Sequence, residues 1–244
     1  MSIKVFFLFF HLLSTTKCSS EESSFIQFLK GFIQNHLPNE ILVNMIEYLR
    51  KRNKHDFPDN FQKNQAAFKN HLPTIKRNGG YIEQQSKFSD MFYGLKPLSY
   101  NGCGLIATYN VIFHLTGSYD IDFPTIIKAF ENDGIILNGY FGTSMVAIQD
   151  YFKKKGYKVT GSSKNEDFNN IGNQYDACII TVFNDVNDIT DGMHFIAVTK
   201  KDGKYTVHNN GYNSSSVAYT SIDDVMKRIN SGKAKGLYIV GVSK

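Results

Sequence analysis

The stretch SYNGCGLIATYNVIFHLTG, residues 99–117, places one cysteine between two glycines at the start of a helical pattern. The spacing of its apolar residues predicts a helix that begins at Cys103 and stops at Gly117. The first backbone N–H groups of a helix are unpaired and favour negative charge, so a helix start lowers the pKa of a cysteine placed there. Gly102 and Gly104 let the backbone pass close to a substrate. The position favours a reactive thiol at Cys103, although structural turns also show this pattern.

A thiol nucleophile also needs a base, and His194 is the best-placed histidine. It opens the apolar strand pattern HFIAV, directly after the polar loop NDVNDITDG. A histidine at a strand edge beside a polar loop can face a cleft and accept a proton there. The other histidines lie in the N-terminal segments, near the far end of the Cys103 helix or on the next strand: His11, His36, His55, His71, His114 and His208.

The strand of His194 continues into a hairpin, MHFIAVTKKDGKYTVHN (193–209), with its turn at KKDG. The return strand is expected to bring residues 208–210 level with His194, about 5 Å away. Asn209 or Asn210 can then accept a hydrogen bond from the imidazole N–H and hold one tautomer. Asn209, at the strand end, is the favoured orienting residue, whereas Asn210 fits a turn.

A cysteine that opens a helix, a histidine on a strand and an asparagine that closes the return strand resemble the order in papain-like cysteine peptidases. NGCGLIATYNVI and MHFIAVTKKDGKYTVHN are most similar to the bacteriocin-leader (double-glycine) peptidases and their stand-alone relatives, over about residues 90–244. The resemblance implies a papain-like fold with Cys103 as nucleophile, His194 as general base and acid, and Asn209 as orienting residue. Such a site requires no metal and no cofactor.

The chain departs from that family at the oxyanion hole, where the family carries a glutamine a few residues before the cysteine. Here the stretch reads GLKPLSYNGC, and Pro97 stands at the expected place. Asn101 has an amide close to the cysteine and is the candidate replacement, although it fits a turn residue before Gly102 equally well. Gln84 and Gln85 can supply the amide only if the chain loops back.

Helical patterns come first along the chain, and strand patterns follow. Residues 21–80 show helical periodicity without a strand signal, and Pro73 with NGG (78–80) marks their border with residues 81–244. In the latter, helices precede the strand patterns YKVTG, ACIITVF, HFIAVTK, KYTVHN and GLYIVGV. This order predicts an α+β domain of helices packed on a mostly antiparallel sheet, preceded by a helical N-terminal extension. A pro-segment that shields the cleft is one interpretation of the extension.

The first residues, MSIKVFFLFFHLLSTTKCSS, resemble a secretory signal peptide, with an apolar run too short to cross a bilayer. We expect residues 1–20 to be removed and the protein to be secreted; the alternative is an apolar first helix of a cytosolic protein. No other segment predicts a membrane span. Cys18 lies in this segment and Cys178 in the buried-strand pattern YDACIITVF, so Cys103 stands alone as a candidate nucleophile.

The composition is that of an ordinary globular protein, with 42% hydrophobic and 20% charged residues and a net charge of +5. The basic runs at 50–54 and 153–155 lack interleaved aromatic residues, which argues against nucleic-acid binding. The cysteines show no metal-ligand spacing.

Three functions fit these observations. The first is a thiol hydrolase that cleaves a peptide or isopeptide amide in a peptide or protein substrate. The second is an acyltransferase, deamidase or transamidase with the same three residues, and the third is a papain-like module that binds a peptide without cutting it. The loops at 138–144 and 184–192 are candidates for the cleft walls, although Thr143 or Ser144 also fits a helix cap.

Overall fold

A computed structural model describes residues 38–51, 56–185, 188–211 and 214–244. The predicted signal peptide at 1–20 and the helical pattern at 23–37 lie outside these residues. None of the helices in the described ranges is long and apolar enough to cross a membrane.

The helices follow the predicted apolar periodicities, with two additions. They are α1 (Asn39–Arg50), α2 (Asn60–Arg77), α3 (Leu98–Asn101), α4 (Cys103–Thr116), α5 (Phe123–Asp133), α6 (Met145–Lys154), α7 (Asn165–Gln174) and α8 (Ile222–Arg228). The short α3 and the polar α7 are the additions. Ser144 caps α6, because its hydroxyl accepts the backbone N–H of Ala147.

The strands also extend the sequence prediction. They are β1 (Phe92–Tyr93), β2 (Lys96–Pro97), β3 (Lys158–Ser162), β4 (Ala177–Asp185), β5 (Asp188–Lys201), β6 (Lys204–His208), β7 (Ala218–Tyr219) and β8 (Lys235–Ser243). The patterns predicted β3, β4, β6 and β8, and the C-terminal half of β5. The β1–β2 hairpin, β7 and the first residues of β5 were not predicted.

Six strands form one sheet in the order β3-β8-β4-β5-β6-β7, and β1 pairs with β2 in a separate hairpin. Every pairing in the larger sheet is antiparallel. The turn between β5 and β6 uses Asp202 and Gly203 at positive φ, as a tight hairpin requires. The predicted α+β class, with helices on a mostly antiparallel sheet, is therefore confirmed.

Helices cover both faces of this sheet. In β4, Ala177 and Ile179 pack with α1, α2, α4, α5 and α6, whereas Cys178 and Ile180 pack with α7 and α8 on the opposite face. Because both faces are buried, the central strands are almost continuously apolar instead of alternating.

The N-terminal helices share the core of the main domain. Val43 and Ile46 of α1 and Phe68 and Ile75 of α2 belong to the same buried cluster as the apolar face of α4. The predicted border near residue 80 is therefore no break in packing for the described helices, and α2 runs through Pro73 to Arg77.

Candidate functional site

Cys103 lies at the N-terminus of α4, as the sequence predicts. The preceding α3 ends at Asn101, and Gly102 separates the two helices. Gly104 packs closely on Thr143, since a Cβ atom at position 104 would lie 3.1 Å from the Cβ of Thr143. The Cys103 side chain is partly exposed. Cys103 thus combines a helix start with partial burial.

His194 contacts this thiol from β5. The β5–β6 ladder runs from Ala197 paired with His208 to the turn, so His194 and Phe195 come before its first pair. Two hydrogen bonds to the Cys103 sulfur come from β5: one from the His194 imidazole and one from the Phe195 backbone N–H. A third comes from the backbone N–H of Gly104 in α4. The sulfur therefore meets three donors from two separate elements.

These contacts change both pKa values toward an ion pair. Burial alone would raise the pKa of the Cys103 thiol, but the His194 hydrogen bond and charge, with the two backbone N–H groups, lower it below its ordinary value. Burial alone would lower the pKa of His194, but the thiol and the Asn209 carbonyl raise it. A lowered thiol pKa beside a raised imidazole pKa favours thiolate and imidazolium together.

Asn209 orients His194, but through its backbone. Its carbonyl oxygen lies 2.7 Å from Nε2 of His194 and can only accept, so Nε2 carries the proton and Nδ1 remains for the thiol. Asn209 has φ +60° just beyond the end of β6, and this left-handed conformation directs the carbonyl to the imidazole. The expected side-chain contact is corrected: the amide of Asn209 instead exchanges hydrogen bonds with Gln85.

The segment that holds Gln85 returns to the site after α2. Gly80, at φ +94°, lets the chain pass Phe113 where a Cβ atom would collide with the ring. Asn110 of α4 then binds both the backbone N–H and the carbonyl of Ile82, at 2.8 and 2.9 Å. The chain does loop back, and residues 83–86 reach Asn209.

A cavity of about 200 Å³ opens beside the imidazole. Its lining residues are Glu83, Gln84, Gln85, Ser86, His194, Asn209 and Gly211. The Gln85 amide is engaged, since it donates to the Ser99 carbonyl at 3.1 Å. The Gln84 carboxamide has no hydrogen-bond partner among the described residues and is free to donate to a ligand.

Asn101 does not serve as the predicted oxyanion donor. It is buried, and its amide nitrogen donates to the carbonyls of Tyr93 and Gly139 at 2.9 and 2.7 Å. With both amide hydrogens engaged, Asn101 anchors the loop at 137–142 to the β1–β2 hairpin. Of the two glutamines that could supply the amide if the chain loops back, Gln85 is engaged and Gln84 lines the cavity beside His194.

An exposed apolar patch flanks the helix start. Among the described residues, the large hydrophobic side chains that are most open to solvent include Leu95, Tyr100, Leu137 and Tyr140, which we call the aromatic patch. The Lys96 ammonium lies 5.4 Å from the Tyr100 ring centroid and 4.2 Å from that of Tyr140, which ties the patch together.

The two loops predicted as cleft walls differ in what they contribute. The loop at 138–144 supplies Tyr140 to the aromatic patch and Thr143 to the contact with Gly104. The loop at 184–192 lies partly outside the described residues, which omit 186–187.

Comparison with family models, with curated proteins and with solved structures finds no match for this chain. The functional interpretation therefore depends on the residues and their geometry.

Proposed function

We propose that the protein is a thiol hydrolase of the papain-like kind, which cleaves a peptide or isopeptide amide. The observation that carries this proposal is the hydrogen bond between Cys103 and His194, with His194 held at its other nitrogen by Asn209. A nucleophile, a base and a group that orients the base are the three parts that acyl transfer through a thiol requires.

In the first half of the reaction, the Cys103 thiolate attacks the carbonyl carbon of the amide and forms a C–S bond. Negative charge moves to the carbonyl oxygen, and the Gln84 amide beside His194 is the candidate donor to it. The tetrahedral intermediate collapses, the C–N bond breaks, and imidazolium His194 gives its proton to the leaving amine. The product is an acyl-thioester on Cys103.

In the second half, His194 is neutral and accepts a proton from water as the water attacks the thioester carbonyl. The C–S bond breaks, the acid product leaves, and the thiolate and imidazolium are restored. An amine in place of water gives acyl transfer on the same residues, so the products distinguish hydrolysis from transfer.

The aromatic patch supports a peptide or protein as substrate. Tyr100 lies three residues before Cys103 along the chain and is 61% exposed. Exposed apolar side chains that cluster beside a cleft are typical of binding surfaces. A peptide with a large apolar side chain near the cleaved bond fits such a surface better than a small polar molecule does.

The test is the rate of alkylation by iodoacetamide between pH 4 and 9. Cys103→Ala provides the baseline for Cys18 and Cys178, and mass spectrometry locates the label. Since the Cys103 pKa is lowered, we expect rapid labelling of Cys103 well below the pH where an ordinary thiol of pKa about 8.5 reacts. If the labelling rate of Cys103 has the pH dependence of an ordinary thiol, the proposed hydrolase function is refuted and the peptide-binding module is favoured.

A screen with quenched fluorescent peptides then tests hydrolysis itself. We expect cleavage by the wild-type protein and a loss of at least about a thousandfold in Cys103→Ala, the size typical of removing a nucleophile.

A further inference from the structure

Glu83 binds two groups at the end of β6. Its Oε1 atom lies 2.6 Å from Nδ1 of His208, and its Oε2 atom accepts the backbone N–H of Asn209 at 3.0 Å. The Glu83 side chain is 15% exposed and that of His208 only 3%. Hydrogen bonds to a carboxylate are strong where water is largely excluded. Glu83 thus bridges the imidazole of one residue and the main chain of the next.

The imidazole of His208 is also fixed by contacts with Thr199 and Tyr81, so it holds the Glu83 carboxylate in a defined position. Its Nε2 atom lies 2.9 Å from Oγ1 of Thr199. Its ring stacks on Tyr81, with centroids 3.9 Å apart and planes 11° from parallel. The Tyr81 hydroxyl in turn lies 3.2 Å from Nδ1 of His114. A Glu83 carboxylate bound to this imidazole cannot shift without breaking several contacts.

The backbone of Asn209 is in the left-handed region, which asparagine adopts more readily than other non-glycine residues do, and its contacts hold it there. Its carbonyl meets His194 only while that conformation persists. Glu83 holds the N–H of Asn209, and the Gln85 backbone N–H binds its side-chain oxygen at 3.0 Å. The two contacts come from one segment, residues 83–85, and hold both the backbone and the side chain of Asn209.

We propose that Glu83 is a positioning residue: its carboxylate, bridged between His208 and the Asn209 N–H, keeps the Asn209 carbonyl on His194 and so keeps the imidazole turned to Cys103. This inference rests on the proposed function. The hydrogen bonds of the Glu83 carboxylate go to His208 and Asn209, so we propose that it acts on His194 through Asn209.

The experiment measures Cys103 alkylation by iodoacetamide against pH in the full chain. In Glu83→Ala, the acid limb of the profile is expected to move up by about one pH unit, which means about tenfold slower labelling at any pH below the pKa values of both proteins. Glu83→Asp keeps the charge but cannot span both partners, and a smaller shift in the same direction is expected. Asp90→Asn is the matched control, because it removes the carboxylate 2.8 Å from His71 but leaves Asn209 untouched.

A second measurement detects the hydrogen bond between Nε2 of His194 and the Asn209 carbonyl. The proton NMR spectrum of the wild type is expected to show a downfield resonance from the Nε2 proton of His194, and this resonance should disappear in Glu83→Ala. Thermal unfolding shows which variants are folded. If Glu83→Ala is not folded, the labelling profile of Glu83→Asp provides the test.

The outcomes separate the two proposals. If Cys103 of the wild type reacts with the pH dependence of an ordinary thiol, both the proposed hydrolase function and the positioning role of Glu83 are refuted. A reactive wild-type thiol with an unchanged profile in a folded Glu83 variant overturns the positioning role alone. A shift equal to that of Asp90→Asn also overturns it, since the effect would then not depend on Asn209.

Discussion

Cys103 begins a helix that packs on the sheet and Cys178 lies within the sheet; both are free cysteines, and burial raises the pKa of both thiols. At Cys178, which is 2% exposed in β4, burial raises the pKa to about 12, and the charge of Lys200 offsets little of this. At Cys103, the imidazole and two backbone N–H groups reverse the effect, and the pKa is lowered. The difference between the pKa values of the two thiols therefore comes from the hydrogen-bond donors around the Cys103 sulfur and not from burial.

Removal of His194 should make Cys103 resemble Cys178. In His194→Ala, burial of Cys103 remains while its strongest donor is lost, so the pKa should rise to or above the ordinary value of about 8.5. In the wild type the thiolate persists below that pH and disappears only as the pH falls through the lowered pKa. We expect the acid limb of the labelling profile to move up by about two pH units, which means about a hundredfold slower labelling by iodoacetamide at any pH below the pKa values of both proteins.

The matched control for this prediction is His71→Ala, because His71 has an acidic partner but no contact with either thiol. Equal labelling rates in the His194→Ala variant and the wild type would place Cys103 in the same class as Cys178.

Asn209 allows a sharper test, since its carbonyl rather than its amide holds His194. Asn209→Gly keeps the carbonyl and accepts φ +60° without strain, so the alkylation rate at pH 6 should fall only a few-fold. Asn209→Val resists that conformation, and a loss of about tenfold is expected from a cost of about 1–2 kcal/mol. Both variants lose the amide, so an equal loss in Asn209→Gly and Asn209→Val would show that the side chain, and not the backbone conformation, keeps His194 in place.

The surroundings of Cys103 differ from those of Cys178 in their exposed apolar surface as well. In the double variant Tyr100→Ser, Tyr140→Ser, the KM for a cleaved peptide should rise about tenfold, equal to about 1.4 kcal/mol of lost contact, with kcat little changed. Tyr119→Ser is the control, because Tyr119 is 45% exposed but packs on Phe113 instead. A fall in kcat at constant KM would exclude a role in substrate binding.

The smallest effect on reactivity is expected at Cys178. Cys178→Ser buries a hydroxyl among apolar side chains and should lower the free energy of unfolding by about 1–3 kcal/mol. Cys103→Ser should change it less, because that side chain is partly exposed. Urea unfolding measures both, and the alkylation of Cys103 should be unchanged in Cys178→Ser.

Strongly periodic segments were predictable, and polar or short ones were not. The apolar spacing indicated α4 and α5, and the hairpin signal at KKDG located the β5–β6 turn. The helix α7, with the sequence NEDFNNIGNQ, carries only a few apolar residues and forms because Phe168 and Ile171 pack on the sheet. Tertiary contact overrides weak local preference there.

In the candidate site, the residues with distinctive chemistry were predictable and their exact partners were not. Cys103, His194 and Asn209 could be named from residue type and chain order. The sequence could not show that Asn101 is unavailable as an oxyanion donor. Its amide is engaged by the carbonyls of Tyr93 and Gly139, which lie in other parts of the chain.

The sequence by itself determined the α+β class, the helix start at Cys103 and the hairpin that joins His194 to Asn209, since each is set by periodicity or by turn chemistry over a few neighbouring residues. Only the tertiary structure decided that the Asn209 carbonyl orients His194, that residues 83–86 return to the cavity and that Glu83 joins His208 to Asn209. The first of these contacts depends on the left-handed conformation of Asn209, and the others depend on chain segments more than a hundred residues apart, such as Glu83 and Asn209, which are 126 positions apart. Local sequence patterns do not predict contacts between residues so far apart in the chain.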